Sequence, residues 1–233
     1  MVLVLAVSDE VDDALLADSH TVRDAQLIVA CGDLPFDYLG RLMNMLDVPL
    51  VFVPGNHDPD VSGYRISRAG LPLRAGLPAK PPWPEGAISA DRRVVDAAGL
   101  RLAGLGGSRR YSEGPNQYTE WQQAGRARAL ARRARWRRFR DGHGVDVLLT
   151  HAPPAGAGEG DDPPHQGFRA LCRLTTRLQP VLLLHGHVHP HGVPPSGHRL
   201  GRTVVRNVVG RHLLEIEPGA GVQNSPNGYS HAR

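Results

Sequence analysis

Residues 182–192 read LLLHGHVHPHG, in which three leucines run into histidines at 185, 187, 189 and 191. Alternation is the period of a β-strand, so these odd positions share a face. The apolar run 181–184 reads as a buried strand, and Gly186 permits a sharp turn just past its end. Imidazoles on the end of a rigid strand suit metal binding. A polar loop in a histidine-containing chain would give the same letters, so other stretches must decide.

Working outward, residues 2–7, 26–30 and 49–53 are short β-rich apolar runs, each followed by a polar or glycine-containing turn. Between them, 12–18 and 36–46 carry helical spacing, with Leu39, Leu42, Met43 and Leu46 on one face. A β-α-β-α-β start implies parallel strands with right-handed crossovers. The Pro- and Gly-rich stretch 59–86 reads as an irregular surface excursion. RRVVDAAGLRLAGLGG, residues 92–107, reads as a hairpin turned at DAAG. A basic helix is expected over 119–140, and buried strands over 145–149 and 181–184. A loop at 152–166 and a helix at 167–178 separate those two strands. Strands near 203–208 and 211–216 close the fold. The tail 218–233, PGAGVQNSPNGYSHAR, has little to bury and is expected to be disordered.

A chain of 233 residues with 41% hydrophobic content can bury one sizeable core. No apolar stretch is long enough to cross a bilayer. The opening MVLVLAV lacks the basic start and small-residue cleavage site of a signal peptide and reads as the first strand. Two cysteines, Cys31 and Cys172, give no disulfide framework and point to a reducing cytoplasm. The net charge of +4 comes almost wholly from arginine, Lys80 being the single lysine. Such a bias fits GC-rich coding as well as selection for a polyanion, so anionic partners are favoured only weakly.

The chemistry sits after the apolar runs. Asp9 follows the first, in VSDE; Asp33 the second, in CGDL; Asn56, His57 and Asp58 the third, in VPGNHD. The run 145–149 ends in THAPP with His151, and 181–184 ends in HGHVH. Ligands of open α/β sheets gather at the carboxyl ends of strands, so these five turns can converge. Carboxylate, amide and imidazole suit Mn, Fe, Zn or related divalent ions. Asp9 could instead cap a helix over 10–18.

The ordered set SD, GD, GNHD, TH and GHVH resembles the calcineurin-like metallophosphoesterase superfamily, over residues 1 to about 216. The resemblance implies an α/β fold, a four-layer αββα sandwich of two mixed β-sheets flanked by helices, in a domain spanning 1–217. It implies two divalent metal ions. Asp9, Asp33 and His189 would surround one, and Asp33, Asn56, His151 and His187 the other, with Asp33 bridging. His57 would be the acid near the leaving group. Asp58 would orient the GNHD turn, while His185 and His191 would be supporting or surface residues. Metal-dependent hydrolysis of a phosphate mono- or diester follows from the same resemblance.

One departure concerns the first motif, where the family has D-x-H and this chain has Val11 in place of the histidine. Purple acid phosphatases lack it too, and supply a tyrosine three residues after the GD aspartate; that position here is Phe36. The site at Asp9 is therefore expected to be weak or partly occupied unless Glu10, Asp12 or Tyr38 completes it. Glu10 should face away from Asp9 if the strand continues. The shortfall also admits a binding protein that holds phosphate or nucleotide without turnover.

Arg109 and Arg110 are candidates for substrate contact, because arginine grips phosphate oxygens bidentately; exposed arginines in an arginine-rich chain would read the same way. The expected partner is a small phosphorylated substrate. RARALARRARWRRFR, residues 126–140, would serve RNA or DNA binding with Trp136 and Phe139 interleaved. Helical spacing turns Leu130, Ala134 and Trp136 inward, so a solvated face on a packing helix is the expected reading.

Overall fold

The computed structural model describes residues 1–17, 20–69, 71–190, 197–219 and 221–223. The chain opens as β1 (Val2–Ser8), α1 (Asp13–Ala17), β2 (Leu27–Ala30), α2 (Phe36–Leu46) and β3 (Leu50–Phe52). The three strands pair in parallel, Val4 opposite Leu27 and Val29 opposite Val51. The stretch 59–86 is more ordered than its composition implies. It holds a small antiparallel sheet of β4 (Tyr64–Ile66), β5 (Pro72–Arg74) and β6 (Leu77–Pro78). Strands of two or three residues show no period, so only their Pro and Gly were readable.

After β7 (Ile88–Ser89), β8 (Val94–Ala97) and β9 (Leu100–Leu105) form the expected hairpin. Ala98 and Gly99 turn it with φ of 48° and 79°, both left-handed as a two-residue hairpin turn favours. A short parallel pair, β10 (Ser108–Arg109) and β11 (Gln117–Tyr118), leads into α3 (Glu120–Asp141). Thr119 and Gln122 form a reciprocal capping box that starts α3 sharply. The chain then runs β12 (Val147–Thr150), α4 (Arg169–Leu178), β13 (Leu182–His185), β14 (His198–Leu200), β15 (Thr203–Asn207), β16 (Gly210–Glu217) and β17 (Gly221–Gln223).

The strands build two mixed six-stranded sheets, ordered β17-β16-β1-β2-β3-β7 and β14-β15-β13-β12-β9-β8. Side-chain alternation sorts the core into three layers. Val4, Ala6, Val29 and Val51 of the first sheet meet Leu102, Leu149, Leu182 and Leu184 of the second. The opposite face of the first sheet, with Leu5, Ile28 and Phe52, packs on Leu15, Leu39 and Leu42 of α1 and α2. The opposite face of the second, with Ala103, Leu148 and Leu183, packs on Leu130 of α3 and Leu171 and Leu174 of α4. The result is the αββα sandwich. No helix among the described residues is long and apolar enough to cross a membrane.

Two expectations change. Residues 221–223 form β17 against β16, within the stretch expected to lack order; pairing at a sheet edge uses backbone groups and needs no apolar side chain. Residues 224–233 lie outside the described set. Trp136 does not turn inward: it is 57% exposed, and Phe139 90%. The packing face of α3 is instead filled by Gln123, Ala124, Ala127, Leu130 and Ala134, mostly small residues that bring the helix close to its sheet.

Candidate metal centre

β1, β2 and β3 of one sheet, and β12 and β13 of the other, bring their carboxyl ends to one edge of the sandwich. The turns there are backbone-strained. Asp9, Asp33 and His187 hold φ of 62°, 57° and 70°, left-handed values uncommon for residues with a Cβ and concentrated at functional sites. Close approach explains the neighbouring glycines. A Cβ on Gly55 would fall 2.0 Å from Asp33 Oδ1, and one on Gly186 2.2 Å from Asp9 Oδ2.

At the centre, buried His151 places Nε2 2.9 Å from Asn56 Oδ1 and 3.2 Å from Asp33 Oδ2. Its Nδ1 lies 2.7 Å from the Cys31 carbonyl and must donate there. Nε2 thus faces two oxygens with no donor of its own in the neutral ring. Only a protonated imidazole or a shared cation satisfies that arrangement. Asn56 Nδ2 donates to the Tyr111 hydroxyl across 3.0 Å, which turns Oδ1 inward. His187 Nε2 lies 2.9 Å from the Pro164 carbonyl, so that nitrogen donates and Nδ1 keeps the lone pair.

Ligand atoms of Asp33, His151 and His187 lie within 4.8 Å of one another, close to the span of two metal–ligand bonds of about 2.0–2.2 Å. The donor set fits a divalent cation. The electrostatics agree: burial opposes charge on His151, yet the Asp33 carboxylate outweighs it and lifts the ring to about 9. Burial, then neighbouring His151, pushes His187 down to about 3, leaving it neutral. Burial also raises the Asp33 carboxyl, but hydrogen bonding to His151 and the His57 N–H brings it below the ordinary carboxylate range.

The surrounding residues divide by role. Asp58 Oδ2 accepts from Gly55 N at 2.7 Å and Asp33 N at 3.0 Å, so it orients the turn as expected. His57 is exposed, and its backbone N–H donates to Asp33 Oδ1 at 2.8 Å. Asp9, Asp33, Asn56, His57, His187 and His189 all line one cavity of about 420 Å³. Asp9 is no helix cap; Asp12 Oδ1 accepts from Leu15 N at 3.1 Å instead. His185 is buried and close to its own turn, bonding the Gly186 carbonyl, while burial holds its ring at about 4. His191 lies outside the described residues.

The remaining candidates sit outside that cluster. His189 lines the cavity but stands apart from the three-residue cluster, 47% exposed, with Nδ1 3.1 Å from Glu10 Oε1. Glu10 reaches it because the left-handed turn at Asp9 ends the strand alternation. The Tyr38 hydroxyl bonds the Asp12 backbone, and Tyr38 is not among the residues that line the cavity. Arg109 and Arg110 do not reach the cavity. Arg109 pairs with Glu120 and the Gly167 carbonyl, and Arg110 with Gln117 and Gln122.

Tyr111 and His165 line the cavity in addition, and sequence reading missed both as site residues. His165 ends a short 3-10 turn, Pro163–His165, its ring 4.8 Å from that of His187 and its Nδ1 2.7 Å from the Asp162 carboxylate. A histidine in the loop after the TH strand was the available signal.

One crystal structure superposes with a TM-score of 0.56 at 16% identity, covering 87% of this chain and 88% of that one. Another, TT1561 of Thermus thermophilus, gives 0.51 at 17% identity, covering 87% of each chain. At such identities these likenesses concern the fold. No curated protein matches. The calcineurin-like phosphoesterase profile matches residues 8–191, from the first aspartate turn through the last histidine turn, and the chain belongs to that family.

Proposed function

We propose that the chain is a metal-dependent phosphoric ester hydrolase that uses water as nucleophile and forms no covalent intermediate. The convergence of Asp33, His151 and His187 beside Asn56, with Asp33, Asn56 and His187 lining an open cavity, supports this most. Asp33, Asn56, His151 and His187 would hold one divalent ion, and Asp9, Asp33 and His189 a second. Oxygen and nitrogen donors suit Mn, Fe or Zn. Such a pair of ions acidifies water and neutralises phosphoryl oxygens during in-line displacement.

In the reaction, the ester P–O bond breaks, a bond from phosphorus to the water oxygen forms, and the leaving oxygen takes a proton. His57 is the proton donor in this reading: exposed on the cavity, with its backbone anchored on Asp33. Tyr111 holds the Asn56 amide so that Oδ1 faces inward. The substrate is a small phosphorylated molecule, and both cysteines, free in the structure, suit a reducing cytoplasm.

The test is to strip the protein with chelator, reload Mn, Fe or Zn, and assay simple phosphomonoesters and phosphodiesters. Metal-restored hydrolysis supports the reading. His57→Asn should retain metal and lose rate by about 10²–10⁴, most with poor leaving groups. Metal and phosphate binding without turnover would favour the catalytically degenerate member that Val11 motivates.

A further inference from the structure

The basic run of α3 divides into two faces with different fates. On one, Arg126 pairs with Asp91, Arg137 with Asp96 and Asp141, Arg140 with Asp141, and Arg133 with the Arg92 carbonyl. On the other, Arg128, Arg132, Arg135 and Arg138 have no acidic partner among the described residues, nor does Arg177 of α4. These five guanidinium groups line a groove of about 670 Å³ floored by Ala131, Ala134, Val145 and Leu178. An apolar floor between unneutralised cations is a costly surface to leave bare, and one complementary to a polyanion.

The groove is separate from the metal centre. It lies where α4 ends and β12 begins, and those parallel strands carry the metal ligands at their opposite ends. Arg128, Arg132 and Arg135 recur every three or four residues, so the charges rise about 5 Å at a time along one helical stripe. The same stripe continues to Phe139, and Arg132 also borders an adjoining groove lined by Trp136.

We propose that this face binds single-stranded nucleic acid, the arginines holding successive phosphates and exposed Phe139 stacking on a base, with Trp136, whose ring the Arg140 guanidinium covers on one side, flanking the strand. Exposed aromatic faces beside a cationic groove are the device by which unpaired bases are held. A duplex keeps its bases stacked inside. A planar lipid surface cannot follow guanidinium groups into a concavity. Five phosphate contacts on a single strand predict a slope of log K against log salt of about −3.5.

The experiment is fluorescence anisotropy with a labelled oligonucleotide of about 16 bases across a salt series, using the metal-loaded full chain. The double variant Arg132→Glu/Arg135→Glu should weaken binding about tenfold or more and flatten the slope by at least about 1.4. Phe139→Ala should weaken it about tenfold at unchanged slope. Arg41→Glu, an exposed charge change on α2, should leave binding intact. Metal content and ester hydrolysis should be unchanged in all three, which separates this surface from the reading of the metal centre. Three results would overturn the proposal: no binding at low salt, binding indifferent to the double variant, or stronger binding to phosphatidylserine vesicles that the double variant abolishes.

Discussion

His187 donates its backbone N–H to Asp9 Oδ2 across 2.9 Å, joining the turn after β13 to the turn after β1. The Ser8 hydroxyl donates to the same oxygen. One carboxylate from the first sheet thus fixes the backbone that presents a histidine from the second. Asp9 anchors the turn of His187, and under the proposed function it would also be a ligand.

Asp9→Ala should therefore lower metal content beyond one equivalent and raise the metal concentration needed at both sites. His189→Ala, which loses only a rim imidazole, should cost the weakly held ion alone and leave the other firmly held. Elemental analysis after dialysis distinguishes them. Equal losses in the two variants would remove the anchoring role.

The second metal site should be the weaker one. Asp9, Asp33 and His189 are its only assigned protein ligands, and His189 is drawn toward Glu10. Purified protein is expected to hold one ion firmly and the other substoichiometrically, with activity rising on added Mn. Val11 is 46% exposed, so Val11→His displaces little packing and should improve retention. Two tightly held equivalents in the wild type, with no response to added metal, would show that the shell is already complete.

Glycine replacement should separate close approach from chain flexibility. Gly55→Ala puts a methyl against the Asp33 carboxylate and should cost about 1–3 kcal/mol together with most of the metal. Gly125→Ala, in the interior of α3 with open space around it, should stabilise by about 0.5–1 kcal/mol. Urea melts paired with metal analysis check both.

Acid stability should depend on Arg101, whose side chain is 3% exposed and bonded to Asp96 and Asp141. Arg101, the leading partner of Asp96, and Arg140, that of Asp141, help hold these carboxyls below the ordinary range. Depressed carboxylates stabilise the fold above their unfolded value of about 3.9, and that contribution fades as pH falls through the lower folded values. Arg101→Met should lower stability at pH 7, because its buried guanidinium bonds Asp96, Asp141 and the His143 carbonyl, while Arg137 and Arg140 still hold the two carboxylates. The deficit relative to wild type should narrow below about pH 4. A deficit constant from pH 7 to pH 3 would mean that packing alone matters.

The sequence by itself carried the strand-ending turns and their donor residues, because these depend on local pattern, and the layer order came with the family resemblance that those turns carry. A strand's period shows within five residues, and the turn that follows it names its donors. Asp33, Asn56, His151 and His187 were legible for that reason, and so was the hairpin at Ala98 and Gly99. Only the tertiary structure decided where the long side chains went. Arg109 turns to Glu120, Glu10 to His189 and Arg126 to Asp91, the last 35 residues away in the chain. Tyr111 and His165 enter the cavity by the same non-local logic. A guanidinium or carboxylate has many rotamers and strong electrostatic preferences, so its partner is set by whichever opposite charge folding brings within reach. That neighbour belongs to the packed sandwich, and no window of sequence contains it.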